Sequence, residues 1–357
     1  MIADVNLYRF LLFFHSQLWY IVYIISSEPA TIQDKDVETG VSAPLSFFML
    51  IVALFCEFVQ KGKRTLKVLT MIDLLQRYGS YASSPQEKEN IIIPKQPLMV
   101  QHSQGYESFD YRAYGISHFY RFQVTQEMLE TATIVPDGTV DIVFRCGQDH
   151  LDATCYGAVL KMHSIEYASV FHLNDTIFGI RFLPGKAFLP KGYPIGSLTE
   201  SSVPLPEICQ DQAMMEGITR SNDFKEQIEL FLDAYIPDYQ NYYSPGTRPF
   251  SYRMVDEITK VIGIINVNEL SQSVGYTPRY INRLFNKEIG LPPKTFSKII
   301  RFQNVLLALG KDQNISAIAA DMGYYDQSHL LKEFKQFTGI SPLNYRKSLA
   351  KGMALRI

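Results

Sequence analysis

Two stretches of this 357-residue chain are written to one plan, and that repetition limits the fold more than any other feature. "GYTPRYINRLFNKEIGLPPKTF" begins at Gly275 and "GYYDQSHLLKEFKQFTGISPLNYR" at Gly323. Gly275 corresponds to Gly323 and Tyr276 to Tyr324. After one inserted residue, Phe285 corresponds to Phe334 and Gly290 to Gly339. Why one chain carries two copies follows from what each copy would fold into.

In the first copy, Val267, Leu270 and Val274 recur at helical spacing up to Gly275, a residue free to take the left-handed conformation of a sharp turn. Thr277 is placed as a helix cap with Pro278 at the first helical position, and the helix runs to Ile289 before Gly290 stops it. A short helix, a glycine turn and a longer second helix make a helix-turn-helix. On the second helix Ile281, Leu284 and Phe285 form the apolar stripe. Opposite them stand Arg279, Asn282, Arg283, Asn286 and Lys287, all hydrogen-bond donors suited to base edges and phosphates. The second copy repeats this with Ile315, Ile318 and Met322 before Gly323, a cap at Asp326 and a core stripe of Leu330, Phe334 and Phe337. Its outer stripe is Gln327, Ser328, Leu331, Lys332, Lys335 and Gln336. A polar stripe on one helix is usually a solvated face; the same register in two copies argues for a shared target.

Between the copies, "PPKTFSKIIRFQNVLLALG" predicts one helix over 292–309, about 27 Å long at 1.5 Å per residue. That reach holds two recognition helices near the ~34 Å repeat of successive major grooves on one DNA face. Charge agrees. The chain as a whole has 34 Lys+Arg against 36 Asp+Glu, but residues 253–351 hold 14 basic and 8 acidic side chains, net +6, which leaves −8 for the remainder. A polyanion partner is therefore expected at one end only.

Ahead of the repeat, residues 118–183 alternate β-rich runs ("HFYRFQV", "TATIV", "TVDIVFR", "YASVFHL", "TIFGIRFL") with turn signals at Pro136–Gly138, Asn174–Asp175 and Pro184–Lys186. These predict a small barrel or sandwich. "DFKEQIELFLDAYIP" then turns helical, with Phe224, Ile228, Phe231 and Tyr235 on one face and Asp223 and Glu226 in a variant capping box. "IPDYQNYYSPGTRPFSY", Ile236 to Tyr252, lacks periodicity and is expected to be a linker, so that residues 253–357 should bind DNA alone.

No nucleophile elbow, zinc-protease motif, Walker loop or dinucleotide fingerprint occurs, and "PGKA" at Pro184 lacks the spacing of a phosphate loop. No catalytic residue, metal ligand or cofactor is expected, and His163 and His172 are read as ordinary positions. Asp137, Asp141 and Arg181 suit turn-forming and strand-pairing roles better than a pocket. Cys56, Cys146, Cys155 and Cys209 form no Cys-x-x-Cys pair; buried, inert thiols of a reducing compartment are expected, with a hairpin pair of Cys146 and Cys155 as the weaker reading. At the N-terminus, "LYRFLLFFHSQLWYIVYII" from Leu7 and "LSFFMLIVALFCEFV" from Leu45 are apolar but short or broken for a span of ~20 residues. An acidic connection and the basic flank Lys61, Lys63 and Arg64 suit a membrane hairpin with both ends in the cytoplasm. A pair of buried helices, or an extension ahead of the domains, competes with that.

Val267 to Leu349 resembles the DNA-binding domain of the AraC/XylS family of bacterial transcription regulators, most specifically through "IAADMGYYDQSHLLKEFKQFTGISPLNYR". The resemblance covers about the last quarter of the chain. It implies base reading by Arg279, Asn282 and Arg283 on the first helix and by Gln327, Ser328, Leu331 and Lys332 on the second. Asn286, Lys287, Lys335 and Gln336 fall toward the helix ends, where phosphates are nearer. Leu331 departs from the polar residue frequent there and suits a thymine methyl. Ser271 replaces a usual alanine, and His329 belongs to the family's "QSH" pattern, where it is read as structural. "YRFQ", "IVPDGTVDIVF" and "GIRFLPGKAF" are similar, more loosely, to a β-rich sensor domain found before this module in some family members.

The chain thus reads as an α+β multidomain protein: a hydrophobic helical region over 1–80, a β-rich sensor-like domain over 90–235, a linker over 236–252 and an all-α double helix-turn-helix domain over 253–351. The function expected is an effector-responsive transcription regulator of the cytoplasm. Its partners would be double-stranded DNA and a small-molecule effector that the residues do not name; RNA polymerase, a membrane tether through residues 7–59 and a second copy of the chain stand as further candidates. A DNA-repair methyltransferase sharing the module is the enzymatic alternative, and it would need a zinc–cysteine cluster and a Pro-Cys-His motif that the sequence lacks.

Overall fold

The computed structural model describes Leu74, Gln96 and residues 103–354 apart from 132, 148–150, 165–170, 244–249 and 312. The expected N-terminal hydrophobic region lies outside these residues except for Leu74, which is helical and buried in the core of the β domain. Among the described residues no helix is long and apolar enough to cross a membrane.

The β domain runs β1 (Gln104–Asp110), β2 (Ile116–Gln123), α1 (Gln126–Thr131), β3 (Thr133–Ile134), β4 (Asp141–Cys146), β5 (Ala153–Tyr156), β6 (His163–Ser164), β7 (Thr176–Phe182) and β8 (Ser202–Pro204). Six strands form an antiparallel sheet in the order β1-β2-β7-β4-β5-β8, while β3 and β6 pair separately. Alternation gives the sheet two buried faces. Phe119, Ile142, Phe144, Phe178, Ile180 and Phe182 face the helices that follow, α2 (Leu205–Ile208), α3 (Gln212–Arg220) and α4 (Phe224–Tyr242). Tyr120, Phe122, Val143 and Ile177 pack on the other side with Met128 of α1. Of the runs expected to be strands, "YASVFHL" supplies none among its described residues, Phe171 onward, which lead into a turn at Asn174 (φ 69°). Short polar β5 and β8 and the mostly exposed edge strand β1 carry too little apolar alternation to announce themselves.

Arg181 and Asp141 face each other across β4 and β7, with Arg181 Nε 2.9 Å from Asp141 Oδ1 and Nη1 3.5 Å from Asp137 Oδ2. The guanidinium thus pairs β7 with β4 and meets two carboxylates inside the domain. Cys146, Cys155 and Cys209 are buried and form no disulfide among the described residues. Cys155 lies opposite Ile142 and Cys146 opposite Thr176, so the hairpin does not bring the two thiols into register. Burial pushes the Cys146 thiol up to about 11, against the donated hydrogen bond from Gln227, which keeps it protonated and unreactive at neutral pH.

The helical domain follows as α5 (Phe250–Lys260), α6 (Val267–Val274), α7 (Pro278–Ile289), α8 (Pro293–Gly310), α9 (Ile315–Asp321), α10 (Gln327–Thr338) and α11 (Pro342–Ala354). The stretch expected to be a linker is largely ordered secondary structure: α4 continues through Pro237 to Tyr242, and Phe250 to Tyr252 open α5. Proline interrupts a helix by a missing N–H and a local clash, at about 3 kcal/mol. Here aromatic packing outweighs it, because Tyr235, Tyr239, Tyr242 and Tyr243 surround Phe188 with ring centroids 5.1 to 5.8 Å away.

Candidate nucleic-acid interface

Each copy of the repeat folds as its local signals dictate. In the first, Asn266 caps α6 in a full capping box with Glu269, Gly275 turns at φ 78°, Thr277 caps α7, and Gly290 ends it at φ 82°. In the second, Asn314 caps α9, Gly323 turns at φ 65°, the Asp326 carboxylate accepts from the His329 N–H, and Gly339 ends α10 at φ 72°. The positive φ values are why glycine stands at these four turns.

One helix holds the two units. Phe296, Ile299 and Ile300 of α8 enter a cluster with Leu270, Val274, Ile281 and Phe285. Further along, Phe302, Val305, Leu306 and Leu309 enter a second cluster with Ile318, Leu330, Phe334 and Tyr345. At 18 residues α8 is about 27 Å long, and α7 and α10, the second helices of the two units, pack on its two halves.

The apolar stripes turn inward and leave the expected readers outside. Arg279, Arg283, Asn286 and Lys287 on α7 are exposed and Asn282 is half-buried; on α10 Gln327, Ser328, Lys332, Lys335 and Gln336 are exposed. Leu331 is half-buried and leans on the second cluster, where Phe337 also sits half-buried. Several of these side chains have partners on their own unit. The Asn282 amide donates to the Pro278 carbonyl and the Asn286 amide to the Asn282 carbonyl, each at 2.8 Å. The Arg283 guanidinium lies 5.4 Å from the centroid of the Tyr280 ring, which stacks on Tyr276 at 5.0 Å. Gln327 Oε1 accepts from Ser316 Oγ at 2.9 Å. Ser271, which takes the place of an alanine, closes the turn by donating to the Tyr276 carbonyl. The His329 ring stands edge-on to Tyr324, in keeping with a structural part.

Two sets of residues at this interface were not expected from the linear sequence. One is the β domain's hold on the first unit. Ile195–Leu198 form a 3-10 turn against the C-terminal end of α7; Thr199 Oγ1 donates to the Gly290 carbonyl at 2.9 Å, and a Cβ on Gly196 would come within 3.1 Å of the Asn286 carbonyl. Around this contact Tyr252 donates to the Lys186 carbonyl at 3.0 Å, Lys186 pairs with Asp256, and Gln303 donates to the Pro136 carbonyl at 2.7 Å. The other is a buried carboxylate on α10, Glu333, 3% exposed. Burial alone would raise its pKa, but the charge and hydrogen bonds of Arg301, aided by Lys298 and Tyr324, hold it below the ordinary carboxylate value. Its one visible clue is a mismatch between the copies: Glu333 corresponds to Leu284.

Two helix-turn-helix units slung from one shared helix define a double helix-turn-helix domain. Residues 270–348 match the family model of a helix-turn-helix domain, and this C-terminal domain is of the AraC type. Residues 113–204 match a domain family of unknown function (DUF6597). A protein of Haemophilus influenzae named an HTH-type transcriptional regulator is 30% identical over 86 residues, 24% of this chain and 29% of that protein. Another of Mycobacterium tuberculosis is 32% identical over 89 residues, 25% and 34% of the two chains. The chain thus spans about a third of the length of these relatives, which carry the names of regulators and not of enzymes. Among solved structures, the C-terminal domain of AraT, a response regulator from Geobacillus stearothermophilus, is 24% identical and covers 29% of this chain and 88% of its own, with a TM-score of 0.27.

Proposed function

We propose that the chain is a sequence-specific transcription regulator that reads two adjacent major-groove segments with α7 and α10, under control of an effector bound by the β domain. The observation that carries the reading is the pair of recognition helices in one register, their apolar faces buried on a common spacer and their donors exposed. Arg279, Asn282 and Arg283 would read bases in one segment and Gln327, Ser328, Leu331 and Lys332 in the other, with Asn286, Lys287, Lys335 and Gln336 on phosphates. A guanidinium can meet guanine O6 and N7 with two parallel bonds, so Arg283→Ala should relax preference at one base pair by about 1–3 kcal/mol. Selection of bound sites from random duplexes, followed by competition on single-base variants, tests this: the reading predicts two conserved segments about one helical turn apart and fails if no preference emerges.

Effector control is supported by the seating of Thr199 and Gly196 on the end of α7, since any shift of the 3-10 turn moves a recognition helix. Small-molecule panels that alter DNA affinity of the full chain, but not of a variant lacking residues 1–235, test it. Such a regulator works in the cytoplasm. The tether through residues 7–59 is decided by whether the protein fractionates with membranes and whether deletion of residues 1–62 releases it.

A further inference from the structure

Glu333 is the wrong charge for a helix that faces a polyanion, and its surroundings say what it does instead. Three hydrogen bonds converge on its Oε1, from Arg301 Nη2 at 2.6 Å, from Arg301 Nε at 3.2 Å and from the Tyr324 hydroxyl at 2.9 Å, while Lys298 Nζ forms an ion pair with Oε2 at 3.0 Å. Lys298 and Arg301 stand three residues apart on α8, hence on one face of the spacer. Arg301 is further fixed by lying 4.2 Å from the centroid of the Tyr324 ring, and Tyr324 belongs to the turn that launches α10. Apolar packing resists separation of two helices but is weakly directional, so it leaves one helix free to roll slightly on the other. A guanidinium held through two of its nitrogens fixes direction as well as distance.

We propose that Glu333, through Arg301, Lys298 and Tyr324, is a positioning residue that sets the roll of α10 on α8 and thereby which base edges Gln327, Ser328 and Lys332 can meet. The inference rests on the two-segment reading above. It also explains why Arg301, a cation whose side chain is 13% exposed, turns toward a carboxylate of the same domain, with Lys298 beside it at 36%.

The test uses the full chain with Glu333→Gln, which keeps shape and loses charge, and with Arg301→Lys, which keeps charge and loses the fork. Discrimination between single-base variants should fall at least tenfold in the segment read by α10 and stay within twofold in the segment read by α7. Non-specific affinity should rise or hold with Glu333→Gln, since α10 loses a negative charge, and should hold with Arg301→Lys, which leaves the net charge as it was. Amide exchange should quicken across Gln327–Thr338 and not across Pro278–Ile289. Equal loss in both segments, as a general weakening of the fold would give, overturns the proposal, as does unchanged discrimination in both. Should the parent chain show no sequence preference, the two-segment reading falls, and the exchange comparison alone still decides whether Glu333 fixes α10.

Discussion

Tyr276 and Tyr324 hold the same place in the two copies of the repeat, yet one is 46% exposed and the other 7%. The cause lies nine residues on. In the second copy Glu333 offers the Tyr324 hydroxyl an acceptor at 2.9 Å, so the phenol can be buried with its polar end satisfied. In the first copy the corresponding residue is Leu284, which accepts nothing, and Tyr276 turns outward to stack on Tyr280 and meet Phe250. The units are held in place by different means as well. The β domain touches the end of each second helix, through Thr199 on the Gly290 carbonyl and through the Met162 N–H on the Phe337 carbonyl at 2.6 Å, but only the second unit is also tied to α8 by charge. A duplicated unit therefore keeps its backbone geometry while the side chains that attach it diverge.

That contrast can be broken most severely in the cores. Phe285→Ala and Phe334→Ala, at 0% and 1% exposure, should each cost about 3–5 kcal/mol in denaturant unfolding. Only the first should also weaken the seat of the β domain on α7, read as increased proteolysis near Ile195. A smaller and more telling effect is expected at the helix ends. Gly290→Ala and Gly339→Ala both force an L residue to positive φ, at about 1–2 kcal/mol. A Cβ at 290 would additionally meet Thr199 Oγ1 at 2.6 Å and Gly196 Cα at 2.8 Å, whereas at 339 nothing lies within 4 Å. Gly290→Ala should thus be the more damaging, and equal losses would show that the 3-10 turn does not press on α7.

Removing single hydroxyls sharpens the comparison further. Tyr324→Phe takes a donor from a buried carboxylate and should lower stability by about 1–2 kcal/mol, while Tyr276→Phe should change it by only a few tenths. Acid titration separates the copies in the same way. Because the folded pKa of Glu333 lies below its unfolded value, its contribution is full above the ordinary glutamate pKa and is lost as pH falls through the lowered folded value. Glu333→Gln should flatten that part of the acid limb of stability below the ordinary glutamate pKa, and a parallel curve for parent and variant would deny the ion pair its stabilising part. The smallest effects fall on Lys287→Ala and Lys335→Ala, both exposed. Stability should stay unchanged, affinity for all sequences should fall alike, and the salt slope should drop by about one for each phosphate left without its cation.

Much of the helical domain was legible because its signals are local. Caps at Thr277 and Asp326, turns at Gly275 and Gly323, stops at Gly290 and Gly339 and the stripes of α7 and α10 each depend on residues within one or two turns of one another. Which polar side chains stay exposed on those helices followed, since opposite faces of an amphipathic helix are fixed by its period. The β domain was legible where apolar runs were long, at β2, β4 and β7, and not at short or polar β1, β5 and β8. What the linear order could not supply was anything made by residues far apart in the chain. Periodicity is blind to the aromatic packing on Phe188 that carries α4 past Pro237, because Phe188 is some fifty residues upstream. By itself the sequence determined two helix-turn-helix units, the helix between them and which side chains they leave to solvent. Only tertiary structure decided that Glu333 is buried among Arg301, Lys298 and Tyr324 and that Thr199 grips the end of α7, since burial and long-range hydrogen bonds exist only once distant segments meet.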